Sequence, residues 1–348
     1  MLMISFRQPW PVCLRLSLTL TLVLLLGLLA LRAGPPVEVA QAAQRWDVQV
    51  SSTLPVPGGA IMTQGFFPSP LVVHAGDAVT WTWASNVPHT VTFNSGKPAL
   101  PLIVPGPGAG ELTLGPAFAP LGPAGPNAIY DGSLQLSSGV PASPDQNTYQ
   151  LTFTQPGIFG YVCQIHPGMR GEIVVLPAGA PLPETPAQAT ARGKATVSAL
   201  AGAMQADAQQ VRSTHAGTAH SVNVGIANGY GVSMLGFAPR ELTVTRGDTI
   251  LWTLADPFEL HTVTLTSGAQ PPEFVDVRPQ PQGAPWLVVP ASVAGPAGGT
   301  TYTGQGYVNS GILTPGNAFG LVFDAPPGTY AYTCLIHPKM QGTITVTS

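Results

Sequence analysis

Charge is scarce in this sequence. Lys, Arg, Asp and Glu make up 8% of its 348 residues, against about a quarter in an average soluble domain. No basic run occurs, which excludes nucleic acid as a partner, because such binding rests on many phosphate contacts. Cysteine is scarcer still, at three residues, and that excludes a disulfide-built scaffold. Long apolar runs are missing with one exception. "LSLTLTLVLLLGLLAL" (16–31) carries no charge, follows Arg7 and Arg15, and precedes the small-residue pattern "AQA" at 40–42. Residues 1–42 therefore read as a signal peptide or as a retained N-terminal membrane anchor. Either way the remaining chain is expected outside the cytoplasm: in the periplasm, on the cell surface or secreted. Cys13 falls within this segment and does not match a lipoprotein cleavage pattern.

What is abundant is turn-forming residue: 40 Gly and 38 Pro. Between them lie short runs of Val, Ile, Thr, Tyr and Trp, the pattern of an all-β sandwich or barrel. The chain also repeats itself. "GFFPSPLVVHAGDAVTWTWA" (65–84) faces "GFAPRELTVTRGDTILWTLA" (236–255) at an offset of 171. "VPHTVTFNSG" (87–96) faces "ELHTVTLTSG" (259–268), and "PGIFGYVCQIHPGMRGEIVV" (156–175) faces "PGTYAYTCLIHPKMQGTITV" (327–346). Two copies of one domain are expected, 46–178 and 217–348, each with a Pro/Gly-rich insertion near 97–128 or 269–300. The linker, 179–216, begins Pro-rich. From Ala195 to Arg212 it is Ala-rich, with Val197, Leu200, Met204 and Val211 at helical spacing, which predicts a short helix packed on one domain.

Strand alternation places Phe159, Tyr161 and Cys163 on one face, and Tyr330, Tyr332 and Cys334 on its counterpart. Each cysteine thus ends an inward-facing aromatic row. In an oxidising compartment two remaining thiols would ordinarily read as one disulfide; a duplicated metal ligand is the competing reading, and the repeat favours it. Each half offers the same four side chains: His89, Cys163, His166 and Met169, then His261, Cys334, His337 and Met340. Two imidazoles, a thiolate and a thioether form the ligand set of a blue-copper site. C-x2-H-x2-M lets one tight loop supply three ligands, stiffened by Pro167 or Pro338, while "HTV" supplies the fourth from a neighbouring strand. The other histidines fail the duplication test. His74 faces Thr245, His220 faces Gln49, and His215 lies in the linker, so surface positions are expected for His74 and His220. Asp77 and Asp248 are expected to hydrogen-bond the turn before a strand.

On "PHTV", "LHTV", "CQIHPGM" and "CLIHPKM", each half resembles the cupredoxins, the plastocyanin/azurin-like family of blue copper proteins, with a loop most similar to amicyanin's. The resemblance implies two Greek-key β-sandwich domains in tandem, two type 1 copper centres per chain, and electron transfer rather than catalysis. It also implies that His166 and His337 reach the surface, so that redox partner proteins dock near them. The family often carries Asn after its first histidine; Thr90 and Thr262 stand there instead, which opens the question of what hydrogen-bonds the thiolate.

Two other functions compete. A copper-dependent oxidoreductase of the multicopper oxidase type needs a trinuclear histidine cluster. Of seven histidines here, the repeats already claim four. A nitrite reductase would place a histidine directly before the cysteine, where Val162 and Thr333 stand. A copper storage module usually shows Met- or His-rich runs, and none occurs.

Overall fold

The structure, a computed structural model, describes residues 42–348 except 142, 167, 209–214, 230, 281, 283 and 338. The expected targeting segment, Val211, Pro167 and Pro338 therefore lie outside the described residues. Among those described, no helix is long and apolar enough to cross a membrane.

Alternation along the strands builds two sandwiches. In "AVTWTW" (Ala78–Trp83), Val79, Trp81 and Trp83 are buried while their neighbours are only partly covered. In "TILWTL" (Thr249–Leu254), Ile250, Trp252 and Leu254 play the same part. The first repeat pairs Gly59–Phe67, Arg45–Val56, Ala78–Trp83, Thr148–Phe153 and Ile129–Tyr130, in that order, into one sheet. Its second sheet runs Leu71–His74, Arg170–Leu176, Gly157–Val162, Thr92–Phe93 and Leu136–Ser137. The second repeat reproduces both orders, from Val232–Ala238 to Thr301–Tyr302 and from Glu241–Thr245 to Val308–Asn309. Inside the first sandwich the Trp81 ring meets Phe93 at 5.8 Å and Tyr161 at 5.4 Å. Inside the second, Trp252 meets Tyr332 at 5.4 Å.

Tyr161 and Tyr332 show why particular glycines recur. Each tyrosine sits directly across the ladder from a glycine, Gly171 or Gly342. A Cβ on either glycine would lie 2.3 Å from the tyrosine Cζ. Since both rings are buried, Gly171→Ala should cost about 1–3 kcal/mol through overpacking. Chemical denaturation would read this, and an unchanged midpoint would mean the ring has room to move.

The repeats are joined at three levels. Gly59–Phe67 pairs antiparallel with Val232–Ala238, from Ala60↔Leu235 to Thr63↔Val232, which fuses one sheet of each repeat into an 11-stranded sheet. The insertions pair as well. Leu112–Leu114 adds to Trp286–Val289, giving a four-stranded sheet with two strands from each repeat. Arg278 bridges that sheet to both carboxylate oxygens of Glu111, at 2.9 and 2.8 Å. The third join is the helix, Pro186–Ala208. It starts earlier than its Ala-rich stretch suggested, because "TPAQ" forms a capping box. The Gln188 N–H donates to Thr185 Oγ1 at 3.3 Å, the Thr185 N–H donates to Gln188 Oε1 at 2.8 Å, and Pro186 takes the first helical position. The helix packs on both repeats rather than on one: Met204 is buried against Ile61 of the first and Val232 of the second. Residues 43–348 consequently form one compact unit.

Candidate metal centres

Strand Gly157–Val162 delivers Cys163, and the chain then turns back at once. The Met169 N–H donates to His166 O at 3.2 Å, and the Cys163 N–H donates to Met169 O at 3.0 Å. The second loop closes identically: Met340 N–H to His337 O at 2.8 Å and Cys334 N–H to Met340 O at 3.0 Å. These bonds wrap the loop around a point and leave Met169 and Met340 buried beside their cysteines. His89 arrives from the other side. Its carbonyl accepts from Trp83 Nε1 at 2.9 Å, and the following Val91 N–H is held by Ser138 Oγ. Ser310 does the same for Val263.

The donor atoms converge. Cys163 Sγ lies 3.9 Å from His89 Nδ1 and 3.5 Å from His166 Nδ1. Cys334 Sγ lies 3.8 Å from both His261 Nδ1 and His337 Nδ1, and those two nitrogens are 3.2 Å apart. A metal bonded to nitrogen at about 2.0 Å and to sulfur at about 2.3 Å holds its donors about 3.3–3.7 Å apart. The distances in the two clusters, 3.2–3.9 Å, lie within about 0.2 Å of that range, so the groups fit a small thiophilic cation. Within each group, the candidate ligand atoms of the two histidines and the cysteine lie within 4.8 Å of one another, and all are buried. Cys163 and Cys334 are free thiols, so the disulfide reading is set aside. Thr90 and Thr262 answer the question their positions raised. The Thr90 N–H donates to Cys163 Sγ at 3.4 Å and the Thr262 N–H to Cys334 Sγ at 3.3 Å. Each threonine hydroxyl accepts the N–H that follows the cysteine, from Gln164 or Leu335, at 2.8 Å. Threonine thus ties the two ligand segments together.

Comparison with known proteins points the same way. The family described as copper binding proteins, plastocyanin/azurin family, matches residues 55–176. Residues 55–176 are therefore similar to the cupredoxins of that family. Amicyanin-alpha of Methylorubrum extorquens is 30% identical over 103 residues, which is 30% of this chain and 57% of that protein, so the chain spans less than two thirds of that relative. Among solved structures, a reduced Cu(I) form of an amicyanin variant aligns at 21% identity and a TM-score of 0.23, covering 40% of this chain and 89% of the other. A purple cupredoxin from Nitrosopumilus maritimus aligns at 21% identity and a TM-score of 0.21, covering 36% and 98%. The second repeat lies outside the family match and carries the same strand order and the same four residue types.

The surroundings of the two Cys-x2-His-x2-Met loops correct one expectation. His166 and His337 do not reach the surface; they are 3% and 7% exposed. The repeats face each other across the segment Phe258–Leu260. The Phe258 ring lies 3.5 Å from where a Cβ on Gly168 would sit. Between the two imidazoles stands Glu259, itself 4% exposed. His166 Nε2 lies 3.1 Å from Glu259 Oε1, and His337 Nε2 lies 3.6 Å from Glu259 Oε2. Gln64 Nε2–H donates to Glu259 Oε1 from the first repeat. An apolar cavity of about 270 Å³, lined by Pro88, Leu102, Phe118, Phe258, Leu260 and Phe274, ends at these three groups.

Charge inside the sites is set by the close packing of thiol, imidazole and carboxylate. Burial alone would raise the Cys163 thiol, but His166 and His89 outweigh it and hold the thiol well below its ordinary range. Cys334 is held low in the same way by His261 and His337. Burial opposes a charge on His166, yet Glu259 and Cys163 raise it to about 10; against the same burial, Cys334 and Glu259 raise His337 to about 9. Burial also works against the Glu259 carboxylate, and His166 and then His337 hold it well below the usual range. His89 goes the other way, pushed down by burial and by His166.

The remaining sequence expectations divide. Asp77 and Asp248 do bond their turns, accepting from the His74 N–H at 2.9 Å and the Thr245 N–H at 2.8 Å. His74 is not a surface residue: it is 4% exposed, and its Nε2 meets Ala180 O at 2.7 Å where the linker covers its strand. His220 is half-buried against Asp248. Glu259 and Gln64 were missed. Their signal lay in a disagreement between repeats, since Glu259 faces Val87 and Gln64 faces Leu235.

Proposed function

We propose that this chain is an extracytoplasmic electron-transfer protein with two type 1 copper centres, one per cupredoxin domain, with the domains spanning 46–178 and 217–348. The observation that carries this reading is the duplicated cluster of one cysteine and two histidines, all buried and all aimed at one point. His89, Cys163, His166 and Met169 hold one copper, and His261, Cys334, His337 and Met340 hold the other. Copper so bound supplies a one-electron Cu(I)/Cu(II) couple. The residues supply rigidity. Backbone bonds fix the loop, the threonine N–H groups share the thiolate charge, and burial excludes water, so little has to move when the charge of the site changes. With the loop histidines covered, redox partners would dock at the apolar cavity that these histidines help line, beside the exposed Pro88 and the half-buried Phe258. Low charge predicts association with little salt dependence.

Purified protein loaded with copper should be intensely coloured, hold two coppers per chain, and give only type 1 EPR signals. A type 2 signal would support the oxidoreductase reading, and a colourless protein that holds only Cu(I) would support storage.

A further inference from the structure

The bridge between the loop histidines extends this copper reading and rests on it. We propose that Glu259 is a positioning residue shared by both centres: one carboxylate orients His166 in the first repeat and His337 in the second, making the two sites a single coupled unit.

The geometry is specific. Each imidazole turns Nδ1 toward its cysteine and Nε2 toward Glu259. The carboxylate meets each ring with a different oxygen, at 3.1 Å for His166 and 3.6 Å for His337. A carboxylate can only accept, so once a metal replaces the proton on Nδ1 the remaining ring proton is held on Nε2, facing Glu259. Carboxylates that take the outer N–H of a ligating histidine raise its basicity and fix its ring. What is unusual is that one group serves two sites from one repeat. The equivalent place in the first repeat is Val87, which can do nothing of the kind. Gln64 completes the arrangement from the opposite side and has no equivalent either, since Leu235 stands in its place. A buried carboxylate in an apolar cavity is costly unless every oxygen is satisfied. Glu259 accepts a hydrogen bond on Oε1 from Gln64 of the first repeat and faces one imidazole from each repeat. The other histidine of each pair, His89 or His261, keeps a buried Nε2 without a hydrogen-bond partner, so Glu259 acts on the loop histidines alone.

The test is a metal titration of full-length Glu259→Gln, with Cu(I) competed against a chromophoric chelator, on single-site backgrounds (Cys334→Ala to read the first site, Cys163→Ala to read the second). Affinity should fall about 10–100-fold at both sites, the range for loss of such an outer partner. A loss confined to the second site, or absent from both, overturns the proposal even if each site still binds one copper. No copper at either site in the parent protein would instead sink the copper reading itself. A second measurement needs no variant. In the Cu(I)-loaded parent, long-range 1H–15N spectra should show the Nε2 protons of both His166 and His337 in slow exchange. Fast exchange at either ring overturns the shared role.

Discussion

Replacing Cys163 by Ala should remove one blue centre and spare the other. Copper per chain should fall from two to one and the visible absorption by about half, because the thiolate is the ligand that gives such a site its colour and its preference for copper. Cys334→Ala should do the same to the other centre, and the double variant should be colourless. The separation follows from where the donors originate. His89, Cys163, His166 and Met169 all come from the first repeat, and their segments are tied to each other through Thr90, so no ligand of one site is lost with the other. Glu259 couples the centres without supplying a ligand to either. The folded state should survive, since a buried thiol is small and removing it costs on the order of 1 kcal/mol in a core. If Cys163→Ala emptied both sites, the repeats would not hold metal separately. If it emptied neither, the copper would lie elsewhere. Copper quantification with visible and EPR spectra on all three variants decides among these outcomes.

Much of what the two copies share was legible in this sequence, and most of what joins them was not. Trp81 and Trp252, Tyr161 and Tyr332, and the paired Cys and His residues could be found because two copies of a domain had kept them at one offset. The same comparison worked as a filter that discarded anything unshared. Glu259 and Gln64 failed it, although they are where the repeats meet. The duplication test also placed His74 at the surface. Having no counterpart removed it from the ligand set, but it is buried beneath the linker at Ala180 for a reason local to the first repeat. The helix was partly visible. Leu200 and Met204 marked one face, but the start signal, Thr185 and Gln188 around Pro186, lay in a stretch read as Pro-rich linker. The pairing of the two insertions could not be read at all. Leu112–Leu114 and Trp286–Val289 are too short to announce themselves as strands, and each needs the other repeat for a partner. Periodicity along a chain reports which face of an element is buried, but not which surface covers it. The expected exposure of His166 and His337 was wrong for a related reason: Glu259 lies against both, and for His166 it comes from the other copy.

Removing copper should lower the melting temperature of residues 43–348 in one transition, not two. A ligand that binds only the folded state stabilises it by an amount that grows with its concentration over its dissociation constant, about 4 kcal/mol at a thousandfold excess. Two filled sites therefore contribute about twice that. In two beads on a string, each copper would protect only its own domain. Here the protection has routes to spread. The ladder from Ala60↔Leu235 to Thr63↔Val232 makes one sheet of both repeats. Met204 is packed on Ile61 and Val232 at once. Arg278 grips Glu111 across the insertion sheet, and Glu259 lies between the two loops. Unfolding either repeat strips these groups from the other, exposing an edge strand, an apolar helix face and a buried carboxylate together. A Cys163→Ala protein with copper only at the second site should accordingly melt in a single transition, raised by about half the shift of the parent. Calorimetry in the presence and absence of copper measures this directly. Two resolved transitions, only one of them moved by copper, would show that the seam is too weak to join the repeats.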